Sequence, residues 1–370
     1  MNILIINPIL YTVDDDKEWP ECKSIKDTMI YGMALGFLES GHKVTLAACG
    51  DYAPSEPETY DFDVIFFKSS LAKIARPARL PMSYDFIKYL IKTHRSFDLI
   101  IASECFQLYT LTASLICPQK TVIWQELSAH QHFMHSIPSK IWHNIIIPLM
   151  MRKISGIIPR SIPARDFISK YSNRVSSETV DHGIDLSKFP LSEIKKRQLI
   201  SSCQLIQRKR VDEIIRQFAL FHQIKGYEDI VLIIAGRGTE ESNLKKLADE
   251  LNINEFVRFM GFLPRKELGK IISESLAFLI NTQQDLNIVS IPESICAGTP
   301  VLTTSVTALS QYINDNKIGM AKKGWNANDL KDIVDNNSLL SNNCRSLRDT
   351  LSSKYASQKI ISISSRLAMQ

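Results

Sequence analysis

The stretch LAFLINTQQDLNIVSIPESICAGTPVLTTS, residues 276–305, decides the fold that we predict for this chain. It opens on an apolar strand from Ala277 to Ile280, continues through a polar loop and a short helix, and ends in a second strand of β-branched residues. Strand, helix and strand in this order form the repeating unit of a parallel α/β sheet. Two acids, Asp285 and Glu293, stand at the ends of the loop with seven residues between them.

The entry from this loop into the helix suits a bound anion such as a diphosphate. Backbone N–H groups in the first turn of a helix have no intrahelical partner, and the helix dipole places partial positive charge there. The same residues also fit a capping box, because Ser290 precedes Glu293 by three positions and Pro292 stands early in the helix. Glu293 therefore has two open interpretations, a ligand-binding carboxylate and a backbone cap.

This stretch resembles the C-terminal domain of retaining, nucleotide-sugar-dependent glycosyltransferases of family 4, which have the GT-B fold. In that family two glutamates flank seven residues, and SICAGTPV at 294–301 is close to the family run that follows the second glutamate. The resemblance implies that Asp285 contacts the transferred sugar and that Glu293 binds the ribose hydroxyls. It also implies nucleotide contacts from the loop before the helix, at Ile288, Val289 and Ser290.

A basic segment after the first strand of the second half resembles the part of the family that grips the donor diphosphate. Residues 204–212 read QLIQRKRVD, and Lys209 matches the family lysine. Gln204 stands where the family has an arginine, so Arg208 or Arg210 would have to substitute for it. The alternative is a solvated basic surface, but the position between a strand and an amphipathic helix favours phosphate binding.

Two glycines follow a further strand, which runs from Asp229 to Ala235. In the family a loop with this composition passes close to the nucleotide, and Gly236 and Gly238 are its counterparts here. A plain turn from strand to helix needs small residues as well, so both interpretations stay open. Thr307 and Ala308 stand where the family commonly has glycines.

The first half also alternates strands with helices. Its opening strand lacks the charged region of a signal peptide, and the first turn lacks the G-x-G-x-x-G of dinucleotide-binding oxidoreductases. The acids Asp14 to Asp16 and the Asp61-Phe62-Asp63 triplet are typical of a solvated loop and a strand entry, so we expect no metal site.

Histidines follow the fifth strand, which runs from Thr121 to Trp124. The family often has a histidine just after this strand, near the reacting sugar. Here Gln125 or Glu126 holds that place and His130 and His132 follow a turn later, so His130 is the candidate catalytic histidine. Histidine suits proton transfer near neutral pH. His130 and His132 share one loop, however, and histidines clustered in a loop are usually plain polar residues.

Two basic regions of the first half predict peripheral contact with an anionic membrane. Residues 137–160 contain no acid and include the apolar run IIIPLMM at 145–151. The alternative is a buried helix with solvated ends, and we expect Pro148 to interrupt a continuous amphipathic helix. The basic residues of the two regions are Lys68, Lys73, Arg76, Arg79, Lys88, Lys92, Arg95, Lys140, Arg152, Lys153 and Arg160.

Composition narrows the class of protein. The 370 residues are 45% hydrophobic and 22% charged, enough for two domains that each have a core. A net charge of +5 without a zinc-finger or RNA-binding signature speaks against nucleic acid. Seven dispersed cysteines without a C-x-x-C pair indicate reduced thiols, and no apolar run is long enough to cross a bilayer. We therefore expect a cytoplasmic protein, peripheral on the inner face of the membrane.

We thus predict an α/β protein of GT-B fold, with two Rossmann-like parallel-sheet domains facing a cleft. The expected domains are residues 1–182 for the acceptor, 183–345 for the nucleotide sugar, and a helical segment 346–370 that returns to the first domain. The resemblance implies a metal-independent transfer, with retention, from a UDP-sugar or GDP-sugar. The implied acceptor is a lipid-linked oligosaccharide or glycolipid, as in lipopolysaccharide or capsule synthesis. The alternative is a non-catalytic GT-B relative that acts as a binding or partner subunit.

Overall fold

The computed structural model describes residues 1–10, 24–71, 80–131, 133–284 and 288–369. The chain divides into two compact units. The first contains Met1–Gly183 together with Ser353–Gln370, and the second contains Ile184–Ser352. No helix in the described ranges combines the length and the hydropathy needed to cross a bilayer.

A parallel sheet forms the centre of the first unit, and its six strands in the described residues have the order β3-β2-β1-β4-β5-β6. Apolar side chains fill both faces of β1, as expected for a parallel strand that is covered on both sides. Ile3 of β1 lies opposite Val44 of β2 and Leu99 of β4. The strands are β1 Asn2–Ile6, β2 Lys43–Cys49, β3 Asp63–Phe67, β4 Leu99–Ser103, β5 Thr121–Gln125 and β6 Gly156–Pro159.

Some helices of the first unit begin at a side-chain cap. Ser83 and Ser161 each accept a backbone N–H from the first turn of the helix that follows them. Phe86 and Tyr109 stack at 4.2 Å between two helices of this unit and fill the core on one face of the sheet. The helices are α1 Met29–Glu39, α2 Tyr84–Thr93, α3 Leu108–Ile116, α4 Ile137–Ile141, α5 Ile147–Met150 and α6 Ile162–Ile168.

The prediction that Pro148 interrupts the helix was wrong. Residues 137–150 are helical throughout, because a π-helical turn at Trp142–Ile146 joins α4 to α5. In this wider turn the N–H of Ile147 donates to the carbonyl of Trp142, five residues back. A proline has no N–H, and its ring crowds the carbonyl four residues before it. The wider turn directly before Pro148 lets the chain continue without a break.

A second parallel sheet forms the centre of the second unit, and its six strands in the described part of the chain have the order β12-β11-β10-β7-β8-β9. The strands are β7 Gln198–Ser202, β8 Val231–Ala235, β9 Val257–Gly261, β10 Ala277–Leu279, β11 Val301–Thr304 and β12 Gly319–Lys322. The helices are α7 Val211–His222, α8 Glu241–Glu250, α9 Arg265–Glu274, α10 Ser290–Cys296, α11 Ser310–Asp315, α12 Ala327–Asp335 and α13 Asn337–Leu347. The predicted strand, loop, helix and strand at 276–305 are therefore β10, α10 and β11.

The last helix, α14 Ser353–Ala368, belongs to the first unit. Its apolar face joins the core there through Ala356, Ile360 and Ile363. The helix begins against α1 so closely that a Cβ on Gly36 would collide with the carbonyl of Ser353. Glycine at this position is therefore required by the approach of two backbones.

We expect Gly36→Ala to destabilise the protein although alanine is the better helix former. Propensity alone would add up to about 1 kcal/mol of stability, whereas the collision forces α14 away at a cost of roughly 1–3 kcal/mol. Chemical denaturation checks this, with Gly324→Ala as the control, because no atom lies within 4 Å of a Cβ built on Gly324. Equal stability of the two variants would contradict the packing of α14 on α1.

Candidate functional site

The candidate site of the second unit lies at the carboxyl ends of its central strands, where open α/β sheets bind ligands. The loops after β7, β8 and β10 leave this edge side by side, since these strands are neighbours in the sheet. They contain most of the residues that the sequence analysis selected.

The loop after β7 carries the basic segment. Gln207–Lys209 form a 3₁₀ turn, and Arg210 takes a left-handed conformation, with φ +49, before α7. The carbonyl of Arg208 accepts the N–H of Gln283 at 3.3 Å and the hydroxyl of Thr282 at 3.4 Å. The basic loop therefore packs against the loop that leads towards Asp285, while Asp285 itself lies outside the described residues.

The cations of this loop differ in their surroundings. Lys209 is half-buried, and burial lowers the pKa of its ammonium group, with Cys203 acting in the opposite direction. Arg210 forms ion pairs with Asp212 at 3.3 Å and Glu213 at 3.5 Å. Arg208 and Gln204 are exposed. Of the two arginines that could replace the missing family arginine, Arg210 is the one that pairs with acids of α7.

A pocket of about 530 Å³ opens beside the basic loop. This volume lies in the range of small-molecule sites. Side chains with hydrogen-bonding groups line much of it, among them Gln207, Arg208, Arg210, Glu240, Gln283 and Gln284. The pocket can therefore hold a polar molecule next to the guanidinium groups.

Gly236 and Gly238 lie on the opposite side of the basic loop. A Cβ on Gly236, which has φ +138, would collide with the carbonyl of Cys203, and one on Gly238 with that of Leu205. The N–H of Leu205 donates to Arg237 at 2.9 Å across this contact. The glycines thus let the loops after β7 and β8 lie against each other along their backbones. This agrees with the interpretation that small residues are needed for the turn itself, and a contact of these glycines with the nucleotide stays a prediction.

Glu293 lies on α10 with only 3% of its surface exposed. The helix begins after Val289 without any side-chain cap, so the capping interpretation of Ser290 and Glu293 was wrong. The carboxylate instead forms an ion pair with Arg265, the first residue of α9. The predicted loop contacts Ile288, Val289 and Ser290 are half-buried directly before or at the start of α10.

Arg265 is a site residue that the sequence analysis missed. A buried glutamate needs a cation, which is a signal in principle, but the chain offers 44 lysines and arginines to choose from. Arg265 stands in an ordinary turn from strand to helix, PRKEL at 264–268, without a motif. Only the fold brings it to Glu293.

A half-buried lysine, Lys195, connects the far ends of the same two helices. Lys195 donates to the carbonyl of Ser273 at 2.7 Å, to the carbonyl of Gly298 at 3.0 Å and to the hydroxyl of Thr299 at 2.9 Å. Burial lowers the pKa of this ammonium group to about 8. The run Ala-Gly-Thr-Pro after α10 is thereby tied to the end of α9.

The candidate catalytic histidine of the first unit, His130, contacts two side-chain hydroxyls. The ring nitrogens of His130 contact the hydroxyls of Ser139 and Tyr171, both at 3.1 Å. Burial, followed by the charges of Lys140 and Lys170, lowers the pKa of His130, so the ring is neutral at pH 7. A catalytic role of His130 stays a prediction.

The acidic motifs of the first half show no metal site where they are described. Asp61 accepts the hydroxyl of Tyr31 at 2.7 Å, and Asp63 begins β3. Within the described ranges, no three His, Cys, Asp or Glu side chains are grouped to hold a metal ion. His132 and Asp14 to Asp16 lie outside these ranges.

Comparison with solved structures assigns the fold. HepE from Anabaena, solved in complex with UDP, matches 99% of this chain and 100% of its own, with a TM-score of 0.66 and 12% identity. A glycosyltransferase from Rickettsia africae matches 99% of this chain and 98% of its own, with a TM-score of 0.64 and 13% identity. The predicted fold class is confirmed, an α/β protein of GT-B type with two Rossmann-like sheets.

Comparison of sequences gives a family match for the second unit. Residues 185–356 match the profile of the family described as glycosyl transferases group 1. This match supports a glycosyltransferase group 1 domain in the second unit. A curated relative, alpha-monoglucosyldiacylglycerol synthase of Streptococcus pneumoniae, is 25% identical over 46% of this chain and 42% of its own length. The chain thus spans less than half of that relative.

We expect Lys195→Met to lower the free energy of unfolding by about 1–3 kcal/mol, because three buried acceptors lose their donor. Below pH 8 the lysine is charged in both the folded and the unfolded state, and the folded state bears the cost of burying the charge. Between pH 8 and 10.5 the unfolded state retains the proton that the folded state has lost. The free energy of unfolding of the wild type should therefore increase relative to that of Lys195→Met as the pH rises through this window.

Urea denaturation at several pH values measures this difference. Lys196→Met is the matched control, since Lys196 is 60% exposed and pairs with Glu274 at the surface. A stability difference between wild type and Lys195→Met that stays constant from pH 7 to about pH 10 would contradict the lowered pKa.

Proposed function

We propose that this protein transfers a sugar, with retention of the anomeric configuration, from a nucleotide diphospho-sugar to a hydroxyl of a lipid-linked or glycolipid acceptor. The observation that carries the proposal is the contact between the basic loop and the loop towards Asp285. It brings the carbonyl of Arg208 into hydrogen-bond contact with Thr282 and Gln283, which stand shortly before Asp285 in the sequence. The donor has a diphosphate between two rings that carry hydroxyl groups. Cations suit the diphosphate, and carboxylates suit the hydroxyls of the rings.

The donor in this proposal is a UDP-sugar, with a GDP-sugar as the alternative. Support comes from HepE, whose structure was solved in complex with UDP. The nucleotide would lie between the basic loop and α10, with Glu293 on the ribose hydroxyls and Asp285 on the sugar. Arg265 would hold the Glu293 carboxylate in place, so that a buried acid is ready to accept hydrogen bonds without reorganisation.

Stabilisation of the departing diphosphate would fall mainly to side chains. Negative charge develops on its oxygens as the bond to the sugar breaks, and positive groups fixed nearby lower the barrier. Helix α10 has only seven residues, so its dipole is short and Lys209 and Arg208 carry most of this task. The proposed mechanism needs no metal ion.

We propose that the first unit, which would bind the acceptor, contacts a membrane. Four large apolar side chains along the helix 137–150 recur every fourth residue and are each about half exposed or more: Ile137, Ile141, Ile145 and Leu149. Exposed cations flank them at Lys140, Arg152 and Lys153. A helix with an apolar stripe and lysines at its border is suited to the interface of an anionic bilayer, where each cation adds about 1 kcal/mol.

Other features of the first unit fit this surface. Lys88 and Lys92 on α2 are exposed, as is Ile91 between them, while Lys73, Arg76 and Arg79 lie outside the described residues. A relative that resembles this chain is named alpha-monoglucosyldiacylglycerol synthase, and its name supports a lipid acceptor. We therefore propose a cytoplasmic enzyme, peripheral on the inner face of the membrane.

Calorimetric titration with UDP and GDP tests the donor site. We expect Glu293→Gln to weaken binding of the preferred nucleotide by about 10- to 100-fold, because hydrogen bonds to a charged group contribute roughly 1.5–3 kcal/mol. Glu267→Gln is the control, since it makes the same change at an exposed position of α9. If neither nucleotide binds the wild type, the non-catalytic alternative is favoured instead.

Sedimentation with vesicles tests the membrane surface. The wild type should bind vesicles that contain about one third phosphatidylglycerol and should be released by salt, because charge screening weakens the attraction. The double variant Ile141→Asp and Ile145→Asp should lose binding, whereas Leu339→Asp, an equally exposed apolar position in the second unit, should retain it. Equal binding by both variants would exclude the helix 137–150 as the contact.

A further inference from the structure

The pocket beside the basic loop lies on one face of the second sheet. Neighbouring residues of a strand point to opposite faces: Leu199 of β7 belongs to the core under α7 and α8, and Ile200 belongs to the core under α9 and α10. The lining of the pocket includes Val211 at the start of α7 and Leu244 of α8. The pocket is therefore on the face that α7 and α8 cover.

The proposed donor site belongs to the other face. Glu293 of α10 and its partner Arg265 of α9 stand on helices whose apolar side chains join the core of that face. Arg208, which we propose for the donor diphosphate, also lines the pocket, so the two sites have one wall in common. The pocket is thus a second cavity of the same unit, across the sheet from Glu293.

Backbone hydrogen bonds hold together the three loops that form the pocket. The N–H of Glu240, directly before α8, donates to the carbonyl of Leu205 in the basic loop at 2.9 Å. On the other side of the basic loop, the N–H of Gln283 donates to the carbonyl of Arg208 at 3.3 Å. The protein itself therefore fixes the walls, which lowers the conformational cost of binding a ligand.

Amide side chains of two loops line the pocket. Gln207 comes from the basic loop, Gln283 and Gln284 come from the loop after β10, and all three are exposed. An amide has two N–H donors and an oxygen that accepts, so each of them can bind a hydroxyl group in either sense. The carboxylate of Glu240, which accepts the amide of Asn243 at 3.2 Å, adds further acceptor capacity. Such a rim suits a ligand that is rich in hydroxyl groups.

Charges in the lining balance each other. The lining includes two arginines, Arg208 and Arg210, and two acids, Asp212 and Glu240. The guanidinium of Arg210 pairs with Asp212 at 3.3 Å and with Glu213 at 3.5 Å. An anion would be attracted by Arg208 and repelled by the acids, whereas an uncharged ligand avoids this repulsion. The balance therefore favours a neutral ligand.

Apolar side chains lie at the base of the pocket. Ile206, Val211 and Leu244 are part of its lining, and the last two are each only 3% exposed. The C–H groups on the face of a pyranose ring can cover such a base while the hydroxyls at the edge of the ring meet the polar rim. A cavity of about 530 Å³ has room for a molecule of this kind.

We propose that this pocket binds an uncharged hexose, either as a free sugar or as one unit of a glycan, at a site separate from that of the donor. The ring lies on the apolar base, and its hydroxyls bind the amides of Gln207 and Gln284 and the carboxylate of Glu240. The bound sugar does not react. The site gives the second unit a carbohydrate-binding function that does not require nucleotide binding, so it can be tested apart from the proposed function.

Ligand-observed NMR titration of the full chain tests this site. Methyl α-glucoside and methyl α-galactoside at millimolar concentrations are the uncharged probes, and maltose represents one unit of a glycan. We expect a probe to bind the wild type and the double variant Gln207→Ala and Gln284→Ala to weaken this binding by about 5- to 50-fold, because two hydrogen bonds are lost. Gln223→Ala is the matched control, since this glutamine is exposed at the far end of α7 and its variant should bind as the wild type does.

Competition separates the pocket from the proposed donor site. UDP should not displace the sugar, because Glu293 and the pocket lie on opposite faces of the sheet. If neither UDP nor GDP binds, the proposed function fails, while the sugar titration still decides the pocket. Tighter binding of maltose than of methyl α-glucoside would support the proposal with a glycan as the occupant, and equal or weaker binding would support it with a single sugar.

Four results would overturn the assignment. The first is that none of these sugars binds the wild type. The second is that the double variant, with an unchanged unfolding midpoint, binds the sugar as tightly as the wild type does. The third is displacement of the sugar by UDP, which would assign the sugar to the donor site. The fourth is tighter binding of inorganic phosphate or glucose 6-phosphate than of the uncharged probes, lost in the double variant, which would make the pocket an anion site.

Discussion

The ion pair between Glu293 and Arg265 is the interaction on which the candidate site depends. A carboxylate that is almost fully buried is stable only if a cation meets it, since an unpaired charge inside a protein costs several kcal/mol. Glu293 comes from α10 beside the central strands, and Arg265 comes from α9 after the edge strand β9. The pair therefore joins the middle of the second sheet to its border.

The same two helices are joined again at their other ends by Lys195. One charged contact near the carboxyl edge of the sheet and one near the opposite edge hold α9 and α10 in a single orientation.

The sequence predicts regular and local features of this protein well. Apolar runs such as Val231 to Ala235 identify buried parallel strands, and the stretch 276–305 folds as strand, helix and strand because its pattern is local. The features that it did not predict depend on contacts between distant segments. The partner of Glu293, the left-handed backbone of Glu104 and the π-turn before Pro148 all arise only when other elements are in place.

The return of α14 to the first unit has a consequence for synthesis of the chain. The last 18 residues complete a core that begins with the first strand, while all residues of the second unit lie between them. A ribosome therefore releases every residue of the second unit before α14 can complete the core of the first unit. The nascent first unit emerges with an open hydrophobic seam, which closes only after α14 has left the ribosome.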